Sequence, residues 1–334
     1  MTTKIMDEWK ARFWETRSYE GPSSLWFRRG RAFAAIAILV IGTLLAIANT
    51  NLLFFFVAIW LAIFATYPTH GFLIFYCVIT IFPISRAVTV SLRPAQNLLS
   101  TSLAVIPDGA TFDSFRRLFT EQDFALWVWN SLVITVTVSL LGVVIASTSA
   151  YAFSRWKFPG RSFGLILLLS TQMIPAGMLL IPIFIIVSKL DLTNNVLGLA
   201  LAYTTTTIPL SIWILRGYYD TIPFDLEEAA MVDGATRMAA FFRVILPLST
   251  PALAVIFLFN FLAAWNEYMV ANVILKADAL QTWPLGLNTL IGQFQTQWGT
   301  YAAGSVIITI PVVILFLYSS RWLVGGLTVG SVKG

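Results

Sequence analysis

Apolar residues dominate this chain in long uncharged blocks punctuated by short polar stretches. No Asp, Glu, Lys or Arg occurs from Ala32 to Ser85, far more than the ~20 residues that one membrane-spanning helix needs. Breaks at Asn49-Thr50-Asn51 and Tyr67-Pro68-Thr69-His70 divide this block into three. The first two pieces predict a tight hairpin. The third, from Gly71 to about Thr89, predicts a separate span with Arg86 near its outer end, where a long side chain snorkels to the interface. From Arg93 to Asp123 the pattern is mixed. Pro107-Asp108-Gly109 reads as a turn, and Phe115, Leu118 and Phe119 as the apolar side of a surface helix in an external loop.

Five further apolar runs follow, Phe124–Ser154, Ser162–Ser188, Leu192–Leu215, Leu248–Asn272 and Tyr301–Ser320. The second of these carries Pro175, Gly177 and Pro182, which a span tolerates where neighbouring helices cover the freed backbone groups and which mark bends near a pathway. Lys189 and Asp191 form a small external turn. Thr204 to Thr207 and Pro209 interrupt the next run, and those hydroxyls are expected to bond backbone carbonyls or neighbouring helices. Lys276 to Thr300, with Trp283, Gln293, Gln295, Gln297 and Trp298, reads as an external loop with aromatic and amide groups at the membrane edge. The whole pattern predicts an all-α polytopic membrane protein of about eight spans.

One charged stretch stands between two spans, Asp225 to Leu248, DLEEAAMVDGATRMAAFFRVILPL. Bounded by membrane, it has to lie in water. Asp225 with Glu228 three residues later is the spacing of a helix N-cap and its partner. Gly234 is the natural stop, because glycine reaches the left-handed backbone region without a Cβ clash. A second short helix is expected from Thr236 to Arg243, and Pro247 marks the entry to the next span. The product is a helix-turn-helix knob on one membrane face.

Composition agrees: 58% of residues are hydrophobic and 11% charged, against about 25% charged in soluble domains. The net charge of +5 reflects orientation in the bilayer rather than nucleic-acid binding. Residues 1–31 hold seven basic residues (Lys4, Lys10, Arg12, Arg17, Arg28, Arg29, Arg31) against four acidic ones, and basic flanks stay in the cytoplasm. The short basic loop of Arg155, Lys157 and Arg161 gives the same orientation, so an even number of spans leaves both termini inside. Ala32 to Ala48 resembles a signal-peptide core with Ala46-x-Ala48 as a cleavage site, but the long leader and the apolar run directly after it favour an uncleaved span. The lone Cys77 forms no disulfide within the chain and is expected to pack in the core, and the lone His70, read as a loop residue, leaves no histidine cluster for a metal. Glu267 lies about 30 Å along its span, near the outer face, as an interfacial contact, a gate residue or a proton relay. No G-x-x-x-x-G-K-[ST] loop occurs, and no nucleophile-base constellation, so the chain is expected to be non-catalytic.

Glu228-Ala229-Ala230, Gly234 four residues after Ala230, and Val244-x-Leu246-Pro247 resemble the EAA motif of ABC importer permeases, with Val244 where isoleucine is usual. From about Gly71 to Gly334, roughly four fifths of the chain, the sequence is similar to the MalG-like, maltose-type permeases of the ABC carbohydrate importers. Phe82-Pro83 followed by Ser91-Leu92-Arg93, Asn130-Ser131, Ala150-Tyr151-Ala152-Phe153 with Phe158-Pro159-Gly160, and Arg321-Trp322-Leu323-Val324 carry the likeness. So does the ending LTVGSVKG, with Val329 and Ser331 as departures.

That resemblance implies a six-span type I importer core over residues 71–326, followed by a cytoplasmic tail (327–334), while the cytoplasmic segment (1–31) and the extra transmembrane hairpin (32–70) read from the pattern lie outside it. It implies a coupling-helix region over 219–247, in which Glu228, Ala229, Ala230, Asp233, Gly234, Leu246 and Pro247 dock into an ATPase subunit. It further implies that Thr328, Gly330 and Lys333 approach the ATPase dimer and that Gln293, Gln295, Gln297 and Trp298 reach an external sugar-binding protein. The implied partners are a second permease of the MalF type, a homodimeric ABC ATPase that binds the ATP and Mg, and that binding protein, in the bacterial cytoplasmic membrane. No cofactor is implied in this chain and no nucleic acid. A neutral sugar such as maltose, maltodextrin or a related oligosaccharide is the expected cargo. Glycerol 3-phosphate would call for Arg or Lys along the path, and a proton-coupled carrier for ionisable groups at the bilayer midplane.

Overall fold

The computed structural model describes residues 34–41, 43–44, 52–94, 104, 106–292 and 296–329. The chain divides into two units, Met1–Arg86 and Ala87–Gly334. In the first, residues 34–41 are helical and are followed by α1 (Leu52–Thr66) and α2 (Pro68–Ser91), whose last turn belongs to the second unit. Pro68 opens α2 at the first helical position, where its missing N–H costs nothing. The turn at Tyr67 is closed by packing: Trp60 Nε1 donates to the Gly71 carbonyl at 2.8 Å, and its ring lies 5.4 Å from that of Phe75. Gly71 is required at this contact, since a Cβ there would sit 2.6 Å from Phe64 Cα. The expected break at Asn49–Asn51 lies outside the described residues.

In the second unit, the short surface helix α3 (Asp113–Thr120) precedes α4 (Phe124–Arg155), α5 (Arg161–Thr171), α6 (Ala176–Lys189) and α7 (Val196–Tyr219). Next come α8 (Asp225–Val232), α9 (Arg237–Leu248), α10 (Thr250–Trp265), α11 (Met269–Ile274), α12 (Trp283–Thr289) and α13 (Trp298–Val329). Among the described residues there is no strand, only a β-bridge between Ile291 and Thr296. Four helices, α2, α4, α7 and α13, are long and apolar enough to cross a membrane, and two bent pairs, α5 with α6 and α9 with α10, raise this to six if each is one span. These six correspond to the third to eighth predicted spans. At 15 residues, α1 falls short of the ~20 that a full crossing needs.

Helix α4 is the axis of the second unit, packing along α7 and α10, while α10 also packs on α13. Its buried face is a stripe of small residues, Ser131, Thr135, Ser139, Gly142, Ala146 and Ala150, which lets neighbouring backbones approach closely. Asn260 of α10 fills the space over Gly142, where any Cβ would overlap its Nδ2, and it accepts a 2.9 Å hydrogen bond from Ser211 of α7. Three clusters lie along this axis. Trp127, Trp265 and Leu287 mark one end, Ile134, Tyr203 and Ile274 the middle, and Ala150, Tyr219 and Phe241 the other end. From Trp127 to Tyr151 the helix rises about 36 Å, close to a bilayer core of about 30 Å.

Several expectations are corrected. The stretch expected as an external loop is folded: α12 buries Leu285 and Leu287, a Gly286 Cβ would collide with the Trp127 ring, and Trp283 N–H donates to Ser131 Oγ at 2.8 Å. Its apolar spacing seeks a core rather than water. The seventh span does not run from Leu248 to Asn272. The chain bends by 75° between α9 and α10, where Pro247 and Pro251 both lack a donor, and the helix stops at Trp265 before α11. The fifth span is broken between Thr171 and Ala176 with a bend of 104°, at Pro175 as the proline pattern implied. The helix of the eighth span continues past Arg321 to Val329, so residues 327–329 of the expected cytoplasmic tail are helical. Cys77 is exposed rather than in the core, and His70 lies within α2, its ring 5.8 Å from Tyr67. The Thr204, Thr205, Thr206 and Thr207 hydroxyls all bond helix carbonyls, as expected.

Candidate functional site

The charged stretch folds as two short helices around a glycine turn. Helix α8 starts one residue earlier than its acidic pair implied. Pro223 precedes Phe224, which is already helical and caps through its carbonyl, while Asp225 makes no side-chain cap. The stop is as expected. Gly234 has φ +85°, its N–H donates to the Met231 carbonyl (3.0 Å) and that of Ala235 to the Ala230 carbonyl (2.9 Å), the paired bonds of a Schellman turn. Thr236 then caps α9 by accepting the Ala239 N–H at 3.2 Å. Helix α9 runs to Leu248 rather than Arg243, through a wider π turn at Phe241–Ile245. Pro247 cannot donate to the carbonyl four residues before it, and the ladder loosens there.

The two helices present an outer and an inner face. Outside are Glu228, Ala229, Asp233, Gly234, Arg237, Met238, Phe242 and Pro247, with Val232 87% and Met238 62% exposed. Ala230 and Leu246 are half-buried. A water-facing segment that offers a fully exposed valine beside a methionine, a phenylalanine and charges of both signs has the makings of a protein-docking surface.

The inner face holds what the sequence did not disclose. Phe241 and Ile245 are buried beside Tyr219, and the Phe241 ring is 4.6 Å from that of Tyr151. Glu227, the acid next to Glu228, turns inward and forms an ion pair with Arg155 at the end of α4, their side chains only 9% and 3% exposed. Arg155 is therefore not a solvated loop charge. Lys157 is exposed and Arg161 half-buried. Adjacent helical residues point about 100° apart, but that spacing alone does not say which of Glu227 and Glu228 turns inward.

Of the residues expected to reach a binding protein, Gln297 and Trp298 lie at the opposite end of the α4 axis. Gln297 is exposed and its N–H donates to the Leu290 carbonyl at 3.1 Å, and Trp298 opens α13 with its ring 6.3 Å from Tyr301. Gln293 and Gln295 lie outside the described residues, as do Gly330 and Lys333, while Thr328 falls in the last turn of α13. Glu267 sits between α10 and α11, and its carboxylate accepts the N–H groups of Val270 (2.9 Å) and Ala271 (3.2 Å). It is a helix-terminal anion, which its position in a presumed continuous span concealed.

Beside the break in the fifth span is a cleft of about 690 Å³ lined by Leu168, Thr171, Gln172, Pro175, Thr205 and Thr206, among others. Gln172 Nε2 donates across it to the Thr206 carbonyl at 3.1 Å. Every lining side chain is uncharged.

Comparison with known proteins places this geometry. The family described as "Binding-protein-dependent transport system inner membrane component" matches residues 139–328, from the middle of α4 through the knob to the end of α13. The galactooligosaccharides transport system permease protein GanQ of Bacillus subtilis is 35% identical over 266 residues, covering 78% of this chain and 93% of that protein. The maltose/maltodextrin transport system permease protein MalG of Escherichia coli K12 is 36% identical over 286 residues, 80% of this chain and 95% of that one. The diacetylchitobiose uptake system permease protein DasC of Streptomyces coelicolor is 37% identical over 254 residues, 76% and 92%. In fold, the chain superposes on a chain of a bacterial ABC transporter involved in import of the acidic polysaccharide alginate, with TM-score 0.67 and 23% identity over 76% of this chain and 94% of that one.

Proposed function

Since this chain belongs to the family of binding-protein-dependent transport system inner membrane components, we propose that it forms one half of the translocation pathway of an ATP-driven importer of neutral oligosaccharides. The single observation that carries this reading is the charged knob with its exposed Val232 and Met238 at the end of a bundle of apolar helices. Among the described residues no group of three or more His, Cys, Asp or Glu is placed to hold a metal, and no P-loop occurs in the sequence. The energy therefore enters from outside, through Glu228, Ala229, Ala230, Asp233, Gly234, Leu246 and Pro247 docked on a separate ATPase that binds ATP and Mg. Closure of that ATPase draws the knobs of this permease and a MalF-type second permease together and favours the outward-open form. This works only if ATP binds the two forms with different free energies.

The relatives named above carry different sugars, so maltose is one member of the class we assign. The uncharged cleft at the broken span supports a neutral cargo over glycerol 3-phosphate, whose dianion would want Arg or Lys beside it. In this reading an external binding protein meets the Gln293 to Trp298 end, and the tail after Arg321 (Thr328, Gly330, Lys333) approaches the ATPase. The residues before α2 add a membrane hairpin to a six-span core, giving eight spans across the bacterial inner membrane with both termini on the cytoplasmic side.

Gentle purification from the native membrane followed by mass spectrometry tests the assembly. An ATPase, a second permease and a solute-binding protein are expected to accompany the chain, and oligosaccharides should bind that binding protein. Recovery of the chain alone, with uptake driven by a proton gradient and indifferent to ATP, would replace the importer with a secondary carrier.

A further inference from the structure

Two charges buried at the base of the knob are used by nothing described so far. Arg155 ends α4, and Glu227 lies on the inner side of α8. Burying such groups is expensive unless each is paired and its remaining hydrogen-bonding capacity is met. Here it is met. The Arg155 Nε–H donates to Glu227 Oε1, and the Tyr151 hydroxyl donates to Glu227 Oε2 at 2.7 Å. Arg155 Nη2 donates to the Ile222 carbonyl at 3.1 Å, and the guanidinium lies 4.3 Å from the centre of the Phe224 ring. One residue back, Ser154 Oγ donates to Asp220 Oδ1 at 2.7 Å.

These contacts have a common geometry. The last turn of α4, Tyr151 to Arg155, holds Asp220, Ile222 and Phe224 of the link between α7 and the knob, and Glu227 of the knob itself. The link's own bonds run back to α7, with the Asp220, Thr221 and Ile222 N–H groups donating to the Arg216, Tyr218 and Tyr219 carbonyls and Arg216 paired with Asp220 at 3.0 Å, and Pro223, which has no N–H to donate, separates them from the first bonds of α8. A force on the knob would be absorbed there unless it were carried elsewhere. We propose that Arg155 and Glu227, with Tyr151, form a latch that makes the knob one rigid piece with α4, so that displacement of the docking surface reaches the axis of the bundle instead of being lost in the link. They are positioning residues and touch neither ATP nor sugar. The proposal rests on the importer reading above.

The test uses the whole importer, this chain with its companion subunits, in sealed vesicles, with sugar uptake and ATP hydrolysis measured on the same preparation. For Glu227→Gln, which leaves Arg155 unpaired, ATP hydrolysed per sugar taken up should rise roughly five- to tenfold, the low end of coupling between distant sites. Tyr151→Phe keeps the charge pair and loses one hydrogen bond, so a smaller rise is expected; it carries the test if Glu227→Gln fails to assemble. A purely structural role predicts instead that uptake and hydrolysis fall together at a constant ratio, and that result, or an unchanged ratio in both variants, overturns the latch. If the unmodified complex shows no ATP-driven uptake, the importer reading itself has failed and the latch falls with it.

Discussion

Gly234 shows how one backbone angle can matter where space does not. A Cβ at this position meets nothing within 4 Å, yet φ is +85°. Gly217 has the same open surroundings without the positive φ, so it separates the two causes. Gly234→Val should cost about 1–3 kcal/mol by forcing a β-branched residue into the left-handed region, whereas Gly217→Ala should leave the fold intact. Gly234→Val is expected to reach the membrane in normal amounts and lose most uptake, with Gly234→Asn intermediate because asparagine tolerates that region. Uptake assays normalised to membrane content decide it. Full transport by Gly234→Val would remove the turn from the docking model. This residue was legible in the sequence because its requirement is local. Glu227 was not, because its partner, Arg155, is 72 positions away in sequence and looked like an ordinary basic flank.

At the scale of the element, each knob helix has a buried side that anchors it and an exposed side that we propose docks, and the division can be probed directly. Val232 precedes the turn and is the most exposed large hydrophobic residue of α8, while Phe241 on α9 is buried under Tyr151. A thiol-specific reagent should therefore modify Val232→Cys readily in the isolated permease and slowly once the ATPase is bound. Phe241→Cys should resist in both states. Modification of Val232→Cys that ignores the ATPase would mean that this face docks nothing. Cys77 is exposed and has to be replaced by Ser first. The same scale explains which elements could be read in advance. α4 was visible as an unbroken apolar run, and α7 as an apolar run interrupted only by Thr204 to Thr207 and Pro209. α12 was misread as a loop because a seven-residue helix is too short to show a period, and it is held by contacts such as Gly286 on Trp127. The bend at Ser249 was hidden because one proline can enter a span, whereas two flanking a single turn break it.

For the molecule as a whole, orientation follows from which basic residues share an end of the bundle. The Arg155–Glu227 pair puts the end of α4 and the knob at one end, and this end also carries Lys157, Arg161, Arg216, Arg237 and Arg243. About 36 Å away along α4, Trp127 packs with Leu287 and Leu290, and the Leu290 carbonyl receives the Gln297 N–H. Basic residues are retained on the cytoplasmic side, so the orientation we propose puts the knob on the side of ATP and Gln297 outside. The conclusion does not depend on residues 1–66, because two further crossings before α2 would leave every later element where it is. In spheroplasts bearing single cysteines in a Cys77→Ser background, an impermeant maleimide should label Gln297→Cys from outside. Phe158→Cys, in the exposed loop after Arg155, should be labelled only after the membrane is opened. Removing residues 1–66 should leave both patterns unchanged, since the basic loop and knob still hold their end inside. The reverse pattern in the full chain would put the docking surface where there is no ATP, and no ATPase could then drive this permease through the knob.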